Sequence, residues 1–93
     1  VRQTAACQYI AAATTLDLRS ANKFAVFNAS GFNLTTITNR VPGMTLMISN
    51  IGAGTVTIDA SLMSSGIASS IATNVSKQYL VLGYGSIGKF VEI

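Results

Sequence analysis

Asp17, Asp59 and Glu92 are the only carboxylate side chains in the sequence, and there is no histidine. Histidine is the commonest general base near neutral pH and the commonest zinc ligand, so both chemistries lack their usual part. Two carboxyl groups about 5 to 9 Å apart could cleave a glycosidic bond. The three acids fall in separate segments, and nothing in their spacing brings a pair together. Asp59 follows a predicted strand and opens a turn, where a carboxylate caps backbone N–H groups. Glu92, between Val91 and Ile93, reads as a solvent-side or ion-paired strand residue. The single cysteine, Cys7, permits no intrachain disulfide and reads as a small buried thiol. No catalytic residue, metal-ligand set or cofactor site is expected.

Three further patterns have the outline of a site. "GYGSIG", Gly83 to Gly88, has phosphate-loop glycine spacing, but such loops work by opening a helix whose N-terminal N–H groups face phosphate. Here it runs into "KFVEI", a strand, so a hairpin turn is the better reading. "NAS", "NLT" and "NVS" at Asn28, Asn33 and Asn74 match the glycosylation sequon, a cheap match in a chain rich in Asn, Ser and Thr. The six cations, Arg2, Arg19, Lys23, Arg40, Lys77 and Lys89, are scattered singly and give a net charge of +3. A nucleic-acid surface would cluster them with aromatics between, so no nucleic-acid partner is expected.

The elements that would have to position any site are short strands. The chain is 93 residues long, which allows one domain. Nearly half of it is hydrophobic and only 10% is charged, against the roughly 25% of an ordinary soluble domain. That composition excludes disorder. No apolar run approaches the ~20 residues of a membrane-spanning helix, so no membrane partner is expected. The first residues lack a signal-peptide core, because Gln3, Gln8 and threonines interrupt them. With Val1 in place of an initiator Met, both a trimmed product and an excised fragment fit.

Residues 1–13 are Ala-rich and without alternation, a terminal arm that could reach a neighbouring subunit. Residues 14–93 are expected to form one β-domain. "TTLDL" alternates; "KFAVFNA" puts Phe24, Val26 and Asn28 on one face and Ala25 and Phe27 on the other. "FNLTTIT" points Leu34 and, past a bulge, Ile37 inward. "PGMTLMISNIGAGTVTIDASL", Pro42 to Leu62, reads as a hairpin about the glycines Gly52 and Gly54. "SLMSSGIASSIATNVS" reads as a surface excursion with a helical turn or a short edge strand near Ile67 to Ala72. "QYLVLGYG" and "GKFVEI" close the chain as a strand pair. About seven short strands with turn signals roughly every ten residues predict an all-β fold, a small antiparallel sandwich or barrel.

Several strands are apolar on both faces. Met44, Leu46 and Ile48 face one way and Met47 the other; Tyr79 and Val81 oppose Leu80 and Leu82. A domain this small buries about 60 to 65% of its unfolded surface, and it strains to bury both sets. Phe27, Met47, Leu80, Leu82 and Tyr84 are therefore the expected subunit-interface residues, in a homo-oligomer. A carbohydrate site is the competing reading. It would need exposed aromatics, and with no Trp only Tyr9, Tyr79 and Tyr84 could serve. Tyr79 and Tyr84 read better as core or interface anchors.

The run "FAVFNASGFNLTTITNRVPGMTLMISNIGAGTVTIDAS", its Ser-rich sequel and "QYLVLGYGSIGKFVEI" resemble the small β-modules of tailed-bacteriophage virion proteins. The matching elements are "PG" ahead of a strand, the "N-x-G-x-G-T-V-T-I" segment and the terminal strand pair, over residues 14–93. The resemblance implies a structural role in the virion, a trimer, and contacts with other virion proteins such as the major capsid protein. A short, free-standing chain fits a head-decoration or cement protein; tail-fibre, spike or receptor-binding modules are the alternative.

Overall fold

The computed structural model describes residues 7–11, 15–19, 21–83 and 88–93, the Phe32 side chain excepted. The described chain is all-β. Its strands are β1 Gln8–Ile10, β2 Thr15–Asp17, β3 Lys23–Val26, β4 Phe32–Leu34, β5 Thr36–Thr38, β6 Thr45–Asn50, β7 Val56–Ile58, β8 Ser69–Ile71, β9 Val75–Val81 and β10 Phe90–Glu92. A 3-10 turn, Ala60–Leu62, lies between β7 and β8. The strands form a main sheet in the order β1-β3-β6-β9-β10, a two-stranded sheet β2-β5, and a three-stranded sheet β4-β7-β8. Strands are more numerous than the seven expected because some predicted runs break at corners. "FNLTTIT" is two strands in two sheets, interrupted at Thr35, and that break is what lets both Leu34 and Ile37 point inward.

The antiparallel expectation is corrected by the pairing. β1 with β3, β3 with β6, β2 with β5, and β4 with β7 are all parallel. From β3 the chain visits the main, three-stranded and two-stranded sheets in turn, then repeats with β6 and β7. Phe24 lies beside Ile48 and Phe32 beside Val56, twenty-four residues on in both cases. Parallel neighbours need a long crossover, and here the strands of the other two sheets supply it. Only β8, β9 and β10 turn back: β8 is antiparallel to β7, and β9 is antiparallel to both β6 and β10. The predicted terminal strand pair is β9 with β10.

The predicted hairpin over residues 42–62 is not formed, because β6 and β7 belong to different sheets. Its two glycines are needed for closeness rather than for a tight reversal. A Cβ on Gly54 would lie 1.9 Å from the Gly31 nitrogen, and one on Gly52 would lie 2.4 Å from the Asn28 nitrogen. The corner at residues 28–31 is thus stacked directly against the corner at 52–55, and only a bare Cα fits. Asparagines shape both corners. The Asn28 side-chain oxygen accepts from the Ser30 N–H at 2.8 Å and that of Asn50 from the Gly52 N–H at 3.1 Å, each closing an Asx-turn.

The core sits between the sheets. Alternation sends Phe24 and Val26, Leu46 and Ile48, and Tyr79 and Val81 inward from the main sheet; Leu16, Leu34, Ile37, Val56, Ile58 and Ile71 meet them from the other two. Tyr79 and Phe90 pack edge to face at 6.4 Å. Asn50 and Ser69 are the buried polar residues among those described, and both N–H groups of the Asn50 amide are used. It donates to the Ile71 carbonyl at 2.8 Å and the Gly54 carbonyl at 2.7 Å, tying main sheet, three-stranded sheet and corner together. The expected arm at residues 1–13 enters the fold at one place within the described residues: Gln8–Ile10 is the β1 edge strand. Cys7 is exposed, correcting the buried thiol expected, because it precedes β1 outside the core.

Candidate interaction surface

The three sheets differ in what they turn outward. The three-stranded sheet shows Asn33, Thr57 and Ser70 in one row. The two-stranded sheet shows Thr15 and Asp17 beside Thr36 and Thr38. Both outer faces are polar, as an ordinary half-buried sheet should be. The main sheet is the exception. One outward row runs Tyr9, Ala25, Ser49, Ser76; the next Lys23, Met47, Gln78; the third Thr45, Leu80, Val91. Among the described strand residues of that face Lys23 is the only charged one. Phe27 extends it past β3, where its N–H donates to the Ile10 carbonyl, and Ile93 extends it past β10 by donating to the Gln78 carbonyl.

Four of the five residues expected to meet a subunit, Phe27, Met47, Leu80 and Leu82, lie on this one face. Met47 and Leu80 lie in its central and third rows, half-buried; Phe27 is 48% exposed at one end; Leu82, half-buried, continues the outward parity of Leu80. Tyr84 lies outside the described residues. Sequence reasoning named Tyr9, 67% exposed, only as a possible sugar platform and missed the outward Val91 and Ile93. Residues 1–13 show no alternation to reveal Tyr9, and the strand pair gave no reason to single out Val91 and Ile93. Tyr79, once a sugar-platform alternative, is instead wholly buried. Its hydroxyl shares a 2.7 Å hydrogen bond with Ser69, and burial pushes its pKa above the usual phenol range.

The acids are separated and locally used. The Asp17 carboxylate accepts from the Arg19 N–H at 2.9 Å and from the Asn39 amide at 2.5 Å, which together hold its pKa below the usual carboxylate value. Asp59 caps the 3-10 turn, accepting from the Ser61 hydroxyl at 2.6 Å and the Ser61 N–H at 3.1 Å, and its pKa is lowered for the same reason. Glu92 pairs with Lys77 at 3.3 Å, beside an open groove of about 530 Å³ that Ser64, Ser65, Ile67 and Ser69 also line. The pair cancels its own charge, so the groove offers hydroxyls, a neutral ion pair and the apolar side chains of Met63, Ile67 and Val91. Among the described residues no three His, Cys, Asp or Glu side chains gather to hold a metal ion. No helix is long and apolar enough to cross a membrane among those residues. Comparison with family models, curated proteins and solved structures returned no match.

Proposed function

We propose that this chain is a structural component of a tailed-phage virion, working by adhesion to neighbouring subunits rather than by turnover. The observation that supports it is the outer face of the main sheet. The five-stranded sheet turns out Tyr9, Met47, Leu80 and Val91 among Thr45, Ser49, Ser76 and Gln78, with Lys23 as its single charge, while its two companion sheets turn out rows with no large apolar side chain. Large apolar side chains turned outward on one sheet and not on the others make that face the candidate contact surface. In a head-decoration protein the covering surface is supplied by sister subunits and the major capsid protein. A tail-fibre or spike module is the second reading, favoured by the winding. β3 lies parallel to β6 and β4 to β7, the stacking by which repeat folds extend along one axis.

The experiment is immunogold electron microscopy of virions of the phage that encodes the chain, with antibodies raised against the purified protein. Gold on the head supports decoration, and gold on the tail supports the fibre or spike reading. Virions that carry no gold while the antibody recognises the free protein would overturn the proposal.

A further inference from the structure

We infer that the groove beside β8 takes an extended, uncharged peptide segment, which adds to the three-stranded sheet as a fourth strand. Corners join the strands of the two larger sheets in pairs: β3 leads into β4, β6 into β7, and β8 into β9. β10 has no such companion. The main sheet continues past β9 to β10, whereas the three-stranded sheet stops at β8. The place left between β8 and β10 is the groove already described, lined by Ala68, Ser69 and Ser70 on one side and by Val91 and Glu92 on the other.

The β8 edge presents open backbone groups. The Asp59 N–H donates to the Leu34 carbonyl, so Thr57 of β7 turns its N–H and C=O towards β4. Val56 and Ile58 then turn theirs towards Ile71 and Ser69, their β8 partners, which leaves Ser70 facing away from β7. Among the described residues neither the N–H nor the C=O of Ser70 has a hydrogen-bond partner. The β10 edge of the main sheet is covered instead, by the Ser64 N–H on the Phe90 carbonyl at 2.9 Å and by Met63 bridging to Phe90.

Size and charge select the occupant. A strand residue fills about 3.3 by 4.8 by 10 Å, roughly 160 Å³. A groove of about 530 Å³ therefore holds about three residues, the length of β8 and of β10. Antiparallel addition lets one residue exchange two hydrogen bonds with Ser70. The residues on either side of it point inward with Ser69 and Ile71, towards the Ser69 hydroxyl and the Lys77–Glu92 pair. A charged side chain there would compete for one half of a neutral pair. A hydroxyl can bond to either half, and a threonine methyl has Met63 and Ile67 to pack against. The segment that fits is uncharged, with Thr or Ser at alternate positions.

The test uses the isotope-labelled full chain and the peptide acetyl-Ser-Thr-Val-Thr-Ser-amide. Two backbone bonds and a short contact predict a dissociation constant of about 1 mM. At about 10 mM peptide, solvent exchange of the Ser70 N–H measured by NMR should slow about tenfold by mass action. The N–H of Asn33, on the opposite edge of the same sheet, should keep its rate. N-methylation of the central valine should abolish the effect. Ser70→Pro removes an N–H without a partner in the fold, so its circular dichroism should be unchanged while its Glu92 resonance no longer responds to peptide. Equal slowing at Ser70 and Asn33, equal slowing by the methylated peptide, or no slowing at all would overturn the added strand. A Glu92 shift caused by about 100 mM methyl glucoside and not by peptide would give the groove to a saccharide instead. The virion reading stands or falls separately, on the gold labelling.

Discussion

Replacing Asn50 by alanine tests the joint that holds two of the sheets together. The amide is 1% exposed, donates to the carbonyls of Ile71 and Gly54, and accepts from the Gly52 N–H. Alanine removes three hydrogen bonds and leaves the buried Ile71 carbonyl without its Asn50 partner, whereas the Gly52 N–H keeps its 3.1 Å bond to the Val26 carbonyl. A net bond is worth about 1 kcal/mol and an orphaned buried group costs a further 1 to 3, so a loss of roughly 3 to 5 kcal/mol is expected. A 93-residue domain has about 5 to 14 kcal/mol in total, so the variant should stand near the edge of folding. In urea, with a slope of roughly 1 to 1.5 kcal/mol per molar, the midpoint should fall by about 2 to 5 M at fixed protein concentration. Asn50→Asp sharpens the test, because it keeps the shape but turns a carboxylate toward two carbonyl oxygens. Its folded pKa is then raised above the unfolded value near 3.9. The folded state binds more protons, so the variant should lose stability relative to the native chain as pH rises from about 4 towards 7. A midpoint shift below about 0.5 M for alanine, or no pH dependence for aspartate, would refute the account of this joint.

Gly54→Ala should cost at least about 3 kcal/mol in denaturant melts, because the new Cβ meets the Gly31 backbone at 1.9 Å. Gly43→Ala, with open space around it but φ of +89°, should cost only about 1 kcal/mol. Tyr79→Phe should lower stability by about 1 kcal/mol, since Ser69 loses its 2.7 Å partner inside the core; an unchanged melting temperature would count against that bond. Asp17 and Asp59 both have lowered pKa values. Their contribution is therefore complete above the ordinary value of 3.8 and is lost as pH falls through the lower folded values. The double variant Asp17→Asn, Asp59→Asn should flatten the acid limb of a stability–pH curve, and an unaltered limb would contradict the assignment.

Strand content and the inward rows were legible because period-2 alternation is local. Leu46 and Ile48, Val56 and Ile58, and Tyr79 and Val81 announced themselves, and so did the apolar residues left over on the other side. Strand partners were not legible. Alternation shows which way a side chain faces, not which strand lies beside it or in which direction. The glycines at 52 and 54 imitated a hairpin turn because sequence cannot separate a glycine needed for conformation from one needed for close approach. Once the winding is known, both sit where one corner crosses another. The interaction face was half legible for the same reason. Met47 and Leu80 were visible as apolar residues out of phase, whereas their assembly with Tyr9 and Val91 depends on strand order.

Methionine oxidation reads the central claim most directly, since Met47 lies in the middle of the outward face and Met63 lies in the core. Brief peroxide treatment of the native chain across a dilution series, followed by peptide mass spectrometry, gives the sulfoxide yield at each position. If the face is covered in the working protein, Met47 oxidation falls as concentration rises while Met63 stays uniformly protected. Met47 oxidised at the same rate from the most dilute to the most concentrated sample would mean that no sister subunit covers the face and would contradict adhesion between copies.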